Sequence, residues 1–119
     1  MSQKTMRVGI MSKEDFKNRT MSIARGEYTP QKNEPKIWFE SVQSLAQVLS
    51  TQNQALLSTI IERKPTSIKK LAEYSGREVS NLSRTLNTME RYGIVELKKE
   101  DRSKRPIVKA RKFRVDLAI

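Results

Sequence analysis

Cysteine and histidine are both absent from this chain of 119 residues. Without them, a zinc site built on thiolate or imidazole is excluded, and so is catalysis by a thiol or an imidazole. There is no disulfide framework, which fits a reducing, cytoplasmic compartment. Glycine is scarce, limited to Gly9, Gly26, Gly76 and Gly93, and these form no phosphate-cradling G-x-G-x-x-G or G-x-x-x-x-G-K pattern. No apolar run approaches the ~20 residues that span a bilayer, so no membrane partner is expected. The opening residues 1–10 lack the long apolar segment and small-residue cleavage site of a secretory leader. Carboxylates and hydroxyls are scattered rather than clustered. The chain therefore reads as a non-enzyme, with no metal and no cofactor.

What the sequence has in surplus is positive charge. Lys and Arg number 24 against 13 Asp and Glu, a formal net charge of +11. A small domain stays soluble on a net charge of about 2–8, so this surplus points to a polyanionic partner, nucleic acid or an anionic surface. The charge is also unevenly placed. Residues 1–62 hold 8 basic and 6 acidic side chains, whereas residues 63–119 hold 16 and 7. The C-terminal half is the part expected to meet the anion.

Along the chain, Lys4 to Ile10 predicts a short strand in which Met6, Val8 and Ile10 alternate. A weakly amphipathic helix follows from about Ser12, where Ser12 and Asp15 resemble a capping box. Gly26 to Pro35 is polar, holds two prolines and has no periodicity, so it predicts a linker. The organisation expected is an extension over 1–35 and a domain over 36–119. Val42, Leu45, Ala46 and Leu49 then mark one stripe of a helix over 41–50. Thr51 and Gln54 predict the cap of a second helix, with core positions Leu56, Leu57, Ile60 and Ile61, closed by Pro65. Thr66 or Ser67 caps a third, burying Ile68, Leu71 and Ala72 and stopping at Gly76. A fourth follows at once, with Val79, Leu82, Leu86 and Met89 on one face. Its opposite face carries Ser80, Asn81, Arg84, Asn87, Thr88 and Arg91. Gly93 ends that helix. Ile94 to Leu97 then reads as a strand, residues 100–106 as a charged turn, and Ile107 to Leu117 as the returning strand.

Helix, short glycine-containing turn, helix, then a hairpin with a basic tip is the order of a winged helix-turn-helix. The fold class expected is mainly α with a β-hairpin wing, an α+β fold with a short N-terminal strand-helix extension. The fourth helix is long enough to lie in a major groove about 12 Å wide. An ordinary solvent face is rich in Glu and Lys at i,i+4, whereas this one is short, polar and largely uncharged. Arg84 can fork onto guanine, and Asn81 or Asn87 can pair with adenine. Ser80 and Thr88 suit phosphates at the groove edge. Arg77, Lys98, Arg102, Ser103, Lys104 and Arg105 are the candidate backbone and wing contacts, and Lys99, Lys109, Arg111 and Lys112 add charge along the same hairpin. If about six of these cations neutralise phosphates, log K falls with log salt at a slope near −5. Trp38, Phe39, Tyr74, Tyr92 and Phe113 are too scattered for a base-stacking platform and read mostly as core.

From Ile37 onward the sequence resembles the MarR-type winged helix-turn-helix regulators. The segments that carry the resemblance are Ser67 to Gly76, Asn81 to Asn87, and Glu90 to Val95. The resemblance implies that Ser80, Asn81, Arg84, Thr85 and Thr88 form a base-reading surface and that Arg102 to Arg105 form a wing. Where such regulators carry a Ser or Thr cap, this chain has Arg77-Glu78, which leaves the start of the reading helix open by a residue or two. Phe39-Glu40-Ser41 and Arg114 to Ala118 resemble end motifs of small prokaryotic regulators, some of which act as antitoxins, as in the TumE–TumA pair. That likeness implies a protein that controls its own transcription and binds a cognate toxin through residues 1–35. The expected partner is double-stranded DNA, bound as a homodimer on half-sites about 34 Å apart, with dimerisation through the helix at 41–50 or the N-terminal strand. The alternatives are a winged helix used purely for protein–protein contact, since fold does not fix function, and an RNA-binding protein.

Overall fold

A computed structural model describes residues 4–119. Among the described residues the chain has the expected mixed α+β character, with five helices and five strands. Strand β1 (Thr5–Ile10) leads into α1 (Lys13–Ala24) and β2 (Ile37–Phe39). Helices α2 (Val42–Val48), α3 (Thr51–Arg63), α4 (Ile68–Ser75) and α5 (Val79–Arg91) come next, and strands β3 (Val95–Glu100), β4 (Ser103–Val108) and β5 (Lys112–Leu117) complete the chain. No helix among the described residues is long and apolar enough to cross a membrane.

The helices begin where short hydroxyl side chains can accept orphan backbone N–H groups. Ser12, Ser41, Ser50 and Ser67 each accept from the amide three residues on. The cap of α3 is thus Ser50 rather than Thr51, and Gln54 instead reaches back to the Leu49 carbonyl at 2.8 Å. Leu56, Leu57, Ile60, Leu71, Leu82, Leu86, Met89, Ile94 and Val95 form the buried core. Several expected core positions are outside it: Leu45 and Ile61 are only half-buried and Ala46 is exposed, and two more face solvent. Val42 and Val79 are 53% and 46% exposed, because each is the first residue of its helix, where the chain has not yet turned onto the core.

The larger difference is at the chain ends. The returning strand expected over Ile107 to Leu117 is broken in two. After β4, Ala110 is buried, the Lys109 amide donates to the Ile94 carbonyl, and the Arg111 amide donates to the Lys4 carbonyl. This bend takes β5 out of the hairpin and lays it parallel to β1, with Met6 opposite Phe113 and Val8 opposite Val115. Arg111 and Lys112 therefore do not extend the hairpin's charge. With β2 parallel on its other side, β1 is the middle strand of a three-stranded sheet of order β2-β1-β5.

Residues 1–35, expected as an appendage, accordingly carry the centre of a sheet, although residues 1–3 lie outside the described residues. Val8 is fully buried. Gly9 sits directly under the Trp38 ring, where any Cβ would collide with ring carbons. The Gly26–Pro35 segment is also ordered, through Glu34. Its carboxylate accepts from the Tyr28 hydroxyl and from the Gln31 amide at 2.6 Å, and it lies 3.6 Å from Arg19. The Tyr28 hydroxyl, then the Gln31 amide, hold the Glu34 carboxyl below its ordinary range, and the same hydrogen bond raises the Tyr28 phenol. Arg19 also lies over the Trp38 ring, 5.0 Å from its centroid, and Phe39 stacks on Tyr92 at 4.3 Å. Trp38 and Phe39 are therefore packing residues, as most of the aromatics were expected to be.

Candidate functional site

Helix α5 is fixed from below and exposed above. Leu82, Leu86 and Met89 have no solvent exposure, and Leu71 of α4 is buried in the same cluster. Truncating one such side chain to alanine typically costs about 2–5 kcal/mol, so the helix has little freedom to roll. Gly76 closes α4 with φ at +75°, a backbone conformation that glycine adopts without steric cost. Only Gly76, Arg77 and Glu78 separate the two helices. Glu78 occupies the N-cap of α5 but makes no capping hydrogen bond. It still sets a negative charge beside the positive end of the helix.

The outward face of α5 holds the predicted residues. Ser80, Asn81, Arg84 and Asn87 are exposed, and Thr85 and Thr88 are half-buried. Their hydrogen bonding separates them into two groups. Arg77 donates to Asn81 Oδ1 from Nε at 2.9 Å and from an Nη at 2.7 Å, to Thr85 Oγ1 at 3.1 Å, and to Asn53 Oδ1 at 3.0 Å. Asn53 in turn donates to the Gln47 and Val48 carbonyls. Arg77 therefore ties the front of α5 to α3 and the end of α2, and is a bracing residue rather than a free backbone contact. Both acceptor sites of Asn81 Oδ1 are engaged, so a bidentate pairing with adenine requires Arg77 to let go. Thr88 is similarly approached by Arg91 at 3.3 Å. Among the described residues, Ser80, Arg84 and Asn87 make no side-chain hydrogen bond or ion pair.

The β3–β4 hairpin starts four residues beyond α5. Glu90 pins its root by accepting from the Leu97 amide at 3.0 Å. The tip is a two-residue loop, Asp101-Arg102, between the paired Glu100 and Ser103. Asp101 takes the positive φ, +53°, that a tight hairpin loop needs. Two consecutive cross-strand pairs set cation against cation: Lys98 opposite Arg105, and Lys99 opposite Lys104. Like charges directly opposite destabilise a strand pair. The first pair is relieved by Glu100, whose Oε1 lies 2.8 Å from Arg105 Nε. That contact is a charge pairing rather than an aligned hydrogen bond, since the buried Nε–H has no acceptor along its axis. Arg105 is thus held within the hairpin. Among the described residues neither lysine of the second pair forms an ion pair with an acid. Lys98, Lys99, Arg102 and Lys104 remain exposed.

The arrangement combines a rigid helix with a polar outer face and, beside it, a hairpin whose cations are only partly neutralised. Lys98, Arg102, Ser103 and Lys104 lie on this hairpin, as expected from the sequence. The brace through Asn53, 24 residues from Arg77 in sequence, carries no local signal and is not expected from it.

A sequence profile matches residues 48–115, more than half of the chain, covering α3 through most of β5. The chain belongs to the HVO_A0114 family. The match leaves β1, α1, β2 and all but the last residue of α2 outside it. No curated protein and no solved structure matches the chain.

Proposed function

We propose that this member of the HVO_A0114 family is a DNA-binding transcriptional regulator with a winged helix-turn-helix domain. In this reading α5 enters the major groove and the β3–β4 hairpin grips the phosphate backbone. The observation that carries it is the unneutralised Lys99–Lys104 pair on a hairpin next to a rigid polar helix. A fold tolerates facing cations most readily where a polyanion supplies the missing charge. Arg84 is the side chain free to fork onto a guanine edge. Lys98, Lys99, Arg102 and Lys104 are the phosphate contacts, while Arg77 and Arg105 hold the surfaces in place. The regulator acts as a homodimer on a two-fold operator. If it also serves as an antitoxin, the toxin docks on the exposed α1, since β1 has a neighbour on either side.

One observation favours a second reading, a phosphate-binding or protein-contact module without base readout. Asn81 Oδ1 and Thr85 Oγ1 already accept from Arg77, which leaves fewer free acceptors for bases. Comparing duplex DNA with duplex RNA of matched sequence separates the two. A base-reading α5 requires tighter binding to DNA, because the A-form major groove is too narrow for a helix. Equal affinity for both duplexes would leave only charge attraction.

A further inference from the structure

Strand β5 is the open edge of the three-stranded sheet, and little covers it. Val115 and Leu117 are 48% and 57% exposed, although they share a sheet face with the buried Val8 and the half-buried Ile10. An apolar edge strand of this kind is a template for another strand unless it is blunted. Proteins commonly blunt an edge with charge of one sign, but here Arg114 and Asp116 carry opposite signs two positions apart. Among the described residues neither pairs with another charged group.

We propose that β5 pairs antiparallel with β5 of a second copy of this chain, about a two-fold axis through Val115. That register sets Arg114 opposite Asp116 of the second copy, and Asp116 opposite its Arg114. On the other face it sets Val115 against its own mate and Phe113 against Leu117. Every cross-strand pair from 113 to 117 is then either oppositely charged or apolar. Moving the axis to residue 114 faces arginine with arginine, and moving it to 116 faces aspartate with aspartate. Only the axis at Val115 satisfies both faces, and it joins two three-stranded sheets into one of six strands with no apolar edge left at β5. A C2 contact of this type is self-complementary by construction. It also replaces the routes expected from sequence. The N-terminal strand has both neighbours occupied within its own sheet, and among the described residues α2 offers a single exposed large apolar side chain, Val42.

This inference does not depend on nucleic acid and is tested without it. Sedimentation of the full chain should give twice 13.8 kDa. Asp116→Arg and Arg114→Asp should each sediment as monomers, because each sets like charges opposite one another. An equal mixture of the two variants should recover the dimer, since every charge then meets its opposite. Val115→Cys keeps the charges intact and gives the chain its only thiol, placed against its symmetry mate. It should cross-link under mild oxidation, whereas Arg111→Cys should not. A monomeric wild type, single variants that remain dimeric, a mixture that stays monomeric, or no preference for the Val115 cross-link would each overturn the proposal.

Discussion

Arg77 grips the side-chain oxygen of Asn81 with two of its nitrogens, at 2.9 and 2.7 Å, while a third reaches Asn53 on α3. One guanidinium thus fixes the position of α5 against the helix behind it. Removing it leaves several polar groups without partners. Arg77→Ala should lower stability by about 2 kcal/mol in urea unfolding, the scale of charge-assisted hydrogen bonds at a partly covered site. Arg77→Lys should recover little, because an ammonium cannot fork to three acceptors. Full stability in Arg77→Lys would show that charge alone holds the brace.

The Lys99–Lys104 pair sets stability against binding. Lys104→Glu turns a repulsive cross-strand pair into an attractive one and should raise stability by about 0.2–1 kcal/mol at low salt. The same change should weaken duplex binding and reduce the magnitude of its salt slope, since a phosphate contact is replaced by a like charge. The check is to measure thermal unfolding and DNA affinity on one preparation. If both rise together, the hairpin is not a phosphate-binding element.

Glu34 and Tyr28 give the ordered 26–35 segment a pH signature. The Glu34 carboxyl is held below its ordinary value, chiefly by the Tyr28 hydroxyl. Its contribution to stability is therefore fully present above the unfolded-state value and lost as pH falls through the lower folded one. The Tyr28 phenol is raised by the same hydrogen bond, so its contribution is present below the ordinary phenol value and lost as pH rises through the folded one. In Tyr28→Phe, a carboxyl-carbon NMR titration should show the Glu34 midpoint moving up toward the ordinary range. An unmoved midpoint would mean the hydrogen bond does not form in solution.

The helices were legible in the sequence because their signals are local. Apolar spacing marked Leu56, Leu57, Ile60, Leu71, Leu82, Leu86 and Met89, and Gly76 marked the end of α4. The sheet was not legible, because its β1–β5 contacts join opposite ends of the chain: Thr5 pairs with Lys112 and Ile10 with Leu117. A run of alternating residues from Ile107 to Leu117 looks like one strand until Ala110 is found buried at the bend. Gly9 gave no sign of its role, since its neighbour Trp38 is fixed only by the pairing of β1 with β2. At the candidate site, the exposed face of α5 was readable from helical spacing. The division of that face into braced and free residues was not, because it depends on where Arg77 turns.

Base reading by α5, as proposed, rests most heavily on Arg84. The most direct measurement is the affinity of wild type and Arg84→Ala for duplex carrying the gene's own upstream region and for scrambled duplex, across a salt series. Wild type should prefer the upstream duplex. Arg84→Ala should lose about 1–3 kcal/mol on that duplex but little on the scrambled one. Equal, steeply salt-dependent binding to both duplexes, unchanged by Arg84→Ala, would rule out base reading by α5.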